Sequence, residues 1–255
     1  MDGDCSAVRN RLVFAGKMSA PEITPEMLRL GLVWYVVFLF STVCHEGAHA
    51  LVAKLGGDLT AFHGGQVSLN PVPHIRRAPF GLVVVPIISY VLGGWMIGWA
   101  SAPYDPYWQQ KYPRRAAWMA LAGPAANLIL MLVAAIGIRA GVAGGWLHPP
   151  HSIGIGSVVA LADGSTNLGT TFLSILFALN LLLATFNLMP VPPLDGNVGV
   201  TVFMKESSAL RFISWSRDGQ YGLIGLMVAW YAFGYIFTPI FLFAVRLLYP
   251  GVVYE

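Results

Sequence analysis

The sequence predicts an all-α polytopic membrane protein with about four to six membrane segments, one of them a re-entrant hairpin, and a small β-ribbon at the membrane edge. Three observations carry that prediction. Hydrophobic residues make up 56% of the 255 and charged residues 11%, with a mean hydropathy of +0.65, well outside the range of a soluble domain. The apolar residues gather into runs of about 20 or more, long enough at about 1.5 Å per residue to cross a hydrocarbon core. Prolines, glycines and basic residues fall between these runs or interrupt one of them.

Residues 1–27 are mixed, with Asp2, Asp4, Arg9 and Arg11 ahead of a short weak apolar patch, and do not read as a cleavable signal. The first long run, 28–55, is therefore expected to stay as a spanning helix, with Thr24 or Pro25 at its start and Gly56-Gly57 at its end. Residues 60–70 alternate around Gly64-Gly65-Gln66-Val67-Ser68-Leu69 and are read as the β-ribbon. Residues 79–102 form a second apolar segment, broken by Pro86 and by Gly93-Gly94. A polar turn, 104–115, leads to a third span, 116–143. After a loop, 144–170, a helix runs from about 171 to 189 and breaks at Pro190-Val191-Pro192-Pro193. Residues 197–219 read as interfacial, with Arg211, Trp215 and Arg217 facing anionic headgroups, and 221–248 makes a last span.

Two groups of residues carry chemistry. His45-Glu46-Gly47-Ala48-His49 lies in the C-terminal half of the first span, where residues four apart share a helix face; His45 and His49 can present two imidazoles to one Zn²⁺ while Glu46 reaches the water it activates. Asn187-Leu188-Met189-Pro190-Val191-Pro192-Pro193-Leu194-Asp195-Gly196 supplies Asp195 as a third ligand. Buried histidines and a carboxylate within a membrane are costly, and a shared cation compensates all of them.

Parity then constrains the topology. For the histidines and Asp195 to meet, their helices must run parallel, which needs an odd number of crossings between them. Two apolar segments intervene, so one should not cross. Residues 79–102 are the candidate, flanked by Arg76 and Arg77 before and by Lys111, Arg114 and Arg115 after, so the hairpin is expected to open to the cytoplasm. The net charge of +3 is scattered and forms no stripe, which leaves nucleic acid without a footprint. Cys5 and Cys44 make no disulfide framework, and His63, His74, His148 and His151 read as loop histidines, His74 standing just after the ribbon.

Together these residues resemble the site-2 protease family of intramembrane zinc metalloproteases, marked by a His-Glu-x-x-His helix and a later Asn-x-x-Pro-x-Pro-x-Leu-Asp-Gly segment, both complete here. Gly123-Pro124-x-x-Asn127 is similar to a third family feature. Gly65 to Pro73 followed by His74 resembles the ribbon and connection of small bacterial members, which lack PDZ or CBS modules. Arg76-Arg77 and the run Gly98 to Pro103 depart from those members and touch loop contacts rather than ligands. The resemblance implies one Zn²⁺ per chain on His45, His49 and Asp195, with Glu46 as catalytic acid/base. It implies Asn187, Asn127, Gly65, Val67 and Ser68 as substrate-binding or supporting residues, transmembrane proteins as substrates, and a multi-pass place in a bacterial cytoplasmic membrane. The chain then divides into an N-terminal segment (1–27), a catalytic core (28–198) and an interfacial segment with the last helix (199–255) of one membrane-embedded domain. The alternative is a zinc-binding membrane protein without protease activity, a transporter or a pseudo-protease. A transporter should carry further intramembrane acidic or histidine pairs along a path, and the intact Glu46 speaks against a dead enzyme.

Overall fold

A computed structural model describes residues 24–216, 219–252 and 254; the reading of residues 1–23 and of Arg217 lies outside them. Helix α1 (Pro25–Leu55) begins where Thr24 accepts a bond from the Met27 amide at 3.1 Å and Pro25 takes the first turn, and it ends at Gly56. Asp58, buried in the following turn, accepts bonds from Thr60 and from the Asp105 amide at 2.8 Å, tying this end of α1 to the start of a later helix. A short α2 (Thr60–His63) follows, then irregular backbone, then α3 (Pro71–Arg77), capped by Asn70.

The chain next bends by 112° into a wide turn at Phe80–Val84 and α4 (Val85–Gly93). Gly94 takes φ +74, a left-handed conformation that reverses direction, and the backbone returns beside the helix it has just left. The Ile97 amide reaches Ser89 Oγ at 3.0 Å and the Trp99 amide reaches the Gly81 carbonyl at 3.1 Å. At the mouth, Arg77 Nε donates to the Ser101 carbonyl at 3.0 Å. The Trp99–Gly81 and Arg77–Ser101 bonds bring the returning backbone level with the residues where it entered. Entry and exit therefore share one side, as the parity argument requires.

After α5 (Pro106–Lys111) comes α6 (Pro113–Ala143). Two short strands, β1 (Leu147–His148) and β2 (Ala160–Leu161), pair antiparallel in the loop before α7 (Leu168–Asn187), which opens with a reciprocal cap between Asn167 and Thr170. Beyond the proline-rich break lie α8 (Asp195–Gly199), one tight turn at Val200–Phe203, α9 (Glu206–Ser216) and α10 (Gly219–Leu248).

Among the described residues, four helices are long and apolar enough to cross a membrane: α1, α6, α7 and, from Tyr221, α10. The chain is an all-α polytopic membrane protein. Its core joins Trp34, Val37 and Phe38 of α1 to Ile138 of α6 and to Ile175 and Phe177 of α7. Large apolar side chains such as Leu32, Ile136, Met227 and Phe243 face outward, as a lipid-facing surface requires. Helix α6 runs against α1: His45 meets Asn127 and His49 meets Met119. Helix α7 runs with α1: Ser41 meets Asn180 and His45 meets Asp195.

The ribbon expected around residues 65–69 is a correction. Those residues form bends with no ladder, and the two-stranded sheet lies instead at Leu147–His148 and Ala160–Leu161. A strand needs a partner, and local bonds have taken that place: Ser68 Oγ accepts from the Asn70 amide, and the Ser68 carbonyl accepts from His74 Nε2 at 3.0 Å.

Candidate metal centre

Helical spacing stacks His45 and His49 on one buried face of α1, and their partners come from other helices. His49 Nδ1 donates to the Met119 carbonyl at 2.7 Å, and His45 Nδ1 donates to Asn127 Oδ1 at 2.6 Å, both on α6. Each Nδ1 thus carries a proton, so each Nε2 of the neutral rings presents a lone pair. The two Nε2 atoms stand 3.0 Å apart. Asp195 Oδ2 lies 3.0 Å from one and 3.3 Å from the other.

Asp195 reaches this point because the break after α7 winds back on itself. Val191 bonds to Met189, Leu194 to Val191 and Asn197 to Leu194, three successive tight turns. Gly196 packs so closely on the carbonyls of Leu188 and Met189 that no side chain would fit. The loop is held from outside by α10, where Ala229 packs on Met189 and Leu194 and Gly225 lies against the Pro192 carbonyl.

Three lone-pair atoms drawn this close repel one another unless a cation lies among them. Ligand atoms around a tetrahedral zinc with bonds of about 2.0–2.1 Å stand roughly 3.3 Å apart, so the donor set fits a small metal ion. Two further features fit it. A Cβ at Gly123 would overlap both Nε2 atoms, so the space they face is kept open by the lack of a side chain on α6. Glu46 is 5% exposed and its Oε2 has no hydrogen-bond partner, an acceptor that the protein leaves unused.

The structure brings together His45, His49, Asp195 and Asn127, with Glu46 buried between the two histidines in sequence. Residues 66–68 cross α1 at Gly47, where the carbonyls of Ser68 and Gln66 would lie 3.4 and 3.9 Å from a Cβ. Val67 and Ser68 are thus beside the Glu46 turn, with Gly65, at φ +72, leading into them. Asn187 is half-buried and its Nδ2 donates to the Leu183 carbonyl within its own helix at 3.0 Å. Sequence reasoning missed Ser41 and Asn180, fully buried polar residues that bond to Asn127. Their signal was a polar side chain in the middle of an apolar helix. It also read His74 as a loop histidine, whereas it is 1% exposed.

No family profile and no solved structure matches the chain. Two curated proteins do. It is 35% identical over 170 residues to "Putative zinc metalloprotease YwhC" of Bacillus subtilis, covering 66% of this chain and 68% of that protein. It is 28% identical over 159 residues to "Putative zinc metalloprotease Rip2" of Mycolicibacterium smegmatis, covering 62% of this chain and 52% of that protein.

Proposed function

The chain belongs to the site-2 protease-like family of zinc metalloproteases, and from that premise we propose that it is an intramembrane endopeptidase. Its substrates on this reading are transmembrane segments of other proteins, cut in a bacterial cytoplasmic membrane. The observation that carries the reading is the convergence of His45 Nε2, His49 Nε2 and Asp195 Oδ2 within 3.3 Å, the histidines on a helix of spanning length and Asp195 just past the end of another.

His45, His49 and Asp195 would hold one zinc, which when bound supplies Lewis acidity and makes water acidic enough to lose a proton near neutral pH. Glu46 receives that proton and returns it to the leaving amine. The atoms balance: water oxygen joins the carbonyl carbon, the carbon–nitrogen bond breaks, and the proton passes through Glu46 to nitrogen. A helical substrate must first unwind to expose its carbonyl, and each backbone group then left unpaired in an apolar setting costs several kcal/mol. Val67 and Ser68, irregular and without a ladder of their own, run beside this turn of α1 and offer their backbone amides to such a strand.

Glu46→Gln keeps every ligand and removes the proton acceptor, so the expected outcome is full zinc content with cleavage reduced by at least about a hundredfold. Metal analysis beside fragment mapping with a membrane-protein substrate library checks it. Near wild-type cleavage by this variant would exclude Glu46 as the base, and a wild type without zinc would exclude the metalloprotease reading. Proline at Val67 or at Ser68 removes one backbone donor and is expected to slow cleavage in protein that keeps its zinc. An unchanged rate with proline at each of Gln66, Val67 and Ser68 would eliminate strand addition.

A further inference from the structure

Asn127 can serve His45 in only one of its two amide orientations, and nothing in α6 itself selects it. We infer that Asn180, on α7, makes that selection and is a positioning residue for the metal ligand His45; the inference rests on the zinc reading above.

The chain of bonds starts at an atom whose role is fixed. The Leu176 backbone carbonyl only accepts, and Asn180 Nδ2 lies 2.8 Å from it; the same Nδ2 reaches Ser41 Oγ at 2.8 Å. Asn180 Oδ1 is therefore the end turned toward α6, where it accepts from Asn127 Nδ2 at 2.8 Å. Asn127 Nδ2 also lies 3.4 Å from the Ser41 carbonyl, a second acceptor. With its amide nitrogen committed to two oxygens, Asn127 has only Oδ1 left for His45 Nδ1, at 2.6 Å. That bond keeps the proton on Nδ1 and the lone pair on Nε2, the atom that faces His49 and Asp195.

Turning the Asn127 amide over would set its oxygen against two other oxygens and its NH₂ against the imidazole. His45 would then hold its proton on Nε2 and lose its ligand atom. Asn127, Asn180 and Ser41 are all fully buried, so water cannot replace any of these bonds. An asparagine in the middle of α7 is otherwise a costly choice, since leucine has the same branched shape without a polar group to satisfy. Partners behind a metal-bound histidine typically contribute 10–100-fold to metal affinity.

The test is zinc affinity, by chelator competition on the full-length protein in detergent, for wild type, Asn180→Leu, Asn127→Asp and the double variant. Asn180→Leu is expected to bind zinc about 10–100-fold more weakly. A carboxylate at 127 accepts from His45 through either oxygen and needs no orienting neighbour. The double variant is therefore expected to bind within about threefold of Asn127→Asp alone. A purely structural Asn180 predicts no such rescue. Thermal melts of the zinc-free proteins report folding. Should Asn180→Leu not fold, Asn180→Ala takes its place. The ¹⁵N histidine spectrum of zinc-loaded wild type, expected to show a proton on His45 Nδ1, checks the tautomer on which the inference depends. Asn180→Leu at wild-type affinity, a double variant as weak as Asn180→Leu, or zinc bound through His45 Nδ1 would overturn the inference. Each of these leaves the zinc reading standing, whereas a wild type that binds no zinc overturns both.

Discussion

Gly123 shows how a residue without a side chain can shape a metal site. It lies on α6 where a Cβ would overlap Nε2 of both histidines. Gly123→Ala adds up to about 1 kcal/mol of helix propensity to α6, which the crowding of both rings offsets even in the zinc-free protein, so no gain in its melting temperature is expected. The methyl group has no room beside the rings, and overpacking of this kind costs about 1–3 kcal/mol, so zinc affinity is expected to fall about 10–100-fold. Chelator competition beside a melt of the zinc-free protein checks both halves, and unchanged affinity would contradict the overlap. Gly123 could be seen in the sequence as part of a family feature, but its role could not, because the atoms it makes room for belong to another helix. His45 and His49 were legible because helical spacing alone fixes their shared face, and Glu46 because it stands beside them in the same five-residue motif. Ser41 and Asn180 were not, since a polar residue in an apolar run signals a partner without naming it. For Asn127 the resemblance implied a substrate-binding or supporting role without saying which, and its 2.6 Å bond to His45 Nδ1 makes it a support for that ring.

Elements were legible where their signals are local. Proline, a glycine pair and basic flanks marked residues 79–102 as a segment that turns back, and the Trp99–Gly81 and Arg77–Ser101 bonds close its mouth. The return is tight enough that neither Gly81 nor Gly98 could carry a side chain where the two limbs cross. Tyr90, near the tip, bonds the Met27 carbonyl at the start of α1, and Gly98 lies against Phe38, so the hairpin lies along the N-terminal half of that helix. Single cysteines replacing Arg77 and Lys111 should therefore react with an impermeant reagent from the same side of the membrane; reaction from opposite sides would require a crossing between them. Residues 65–69 show the reverse case. Alternation suggested a strand, but alternation states only which faces are apolar, and pairing depends on a second segment that the sequence does not locate.

At the scale of the whole molecule, three helices converge on one depth: α1 brings two ligands, α6 holds their outer nitrogens, and the foot of α7 delivers the third ligand from the same direction as the first two. Among the described residues α6 is the one unbroken helix of spanning length between α1 and α7, as the parity argument expects, because chain direction, unlike strand pairing, follows from counting spans. Helix α10 was legible as a span, but not as a support for the site. It is the most exposed of the four, yet its Gly225 lies against the Pro192 carbonyl and its Ala229 packs on Met189 and Leu194, the loop that ends at Asp195. Gly225→Leu would force α10 and this loop apart at a cost of about 1–3 kcal/mol. Because Pro192 is three residues from Asp195 and the loop between them is tightly wound, the displacement should reach the third ligand while leaving His45 and His49 in place on α1. Zinc affinity is therefore expected to fall several-fold, and adding Asp195→Ala to Gly225→Leu should lower it no further than Asp195→Ala alone. Independent, additive losses in that double-mutant cycle would mean that α10 supports the fold without bearing on the metal ligand.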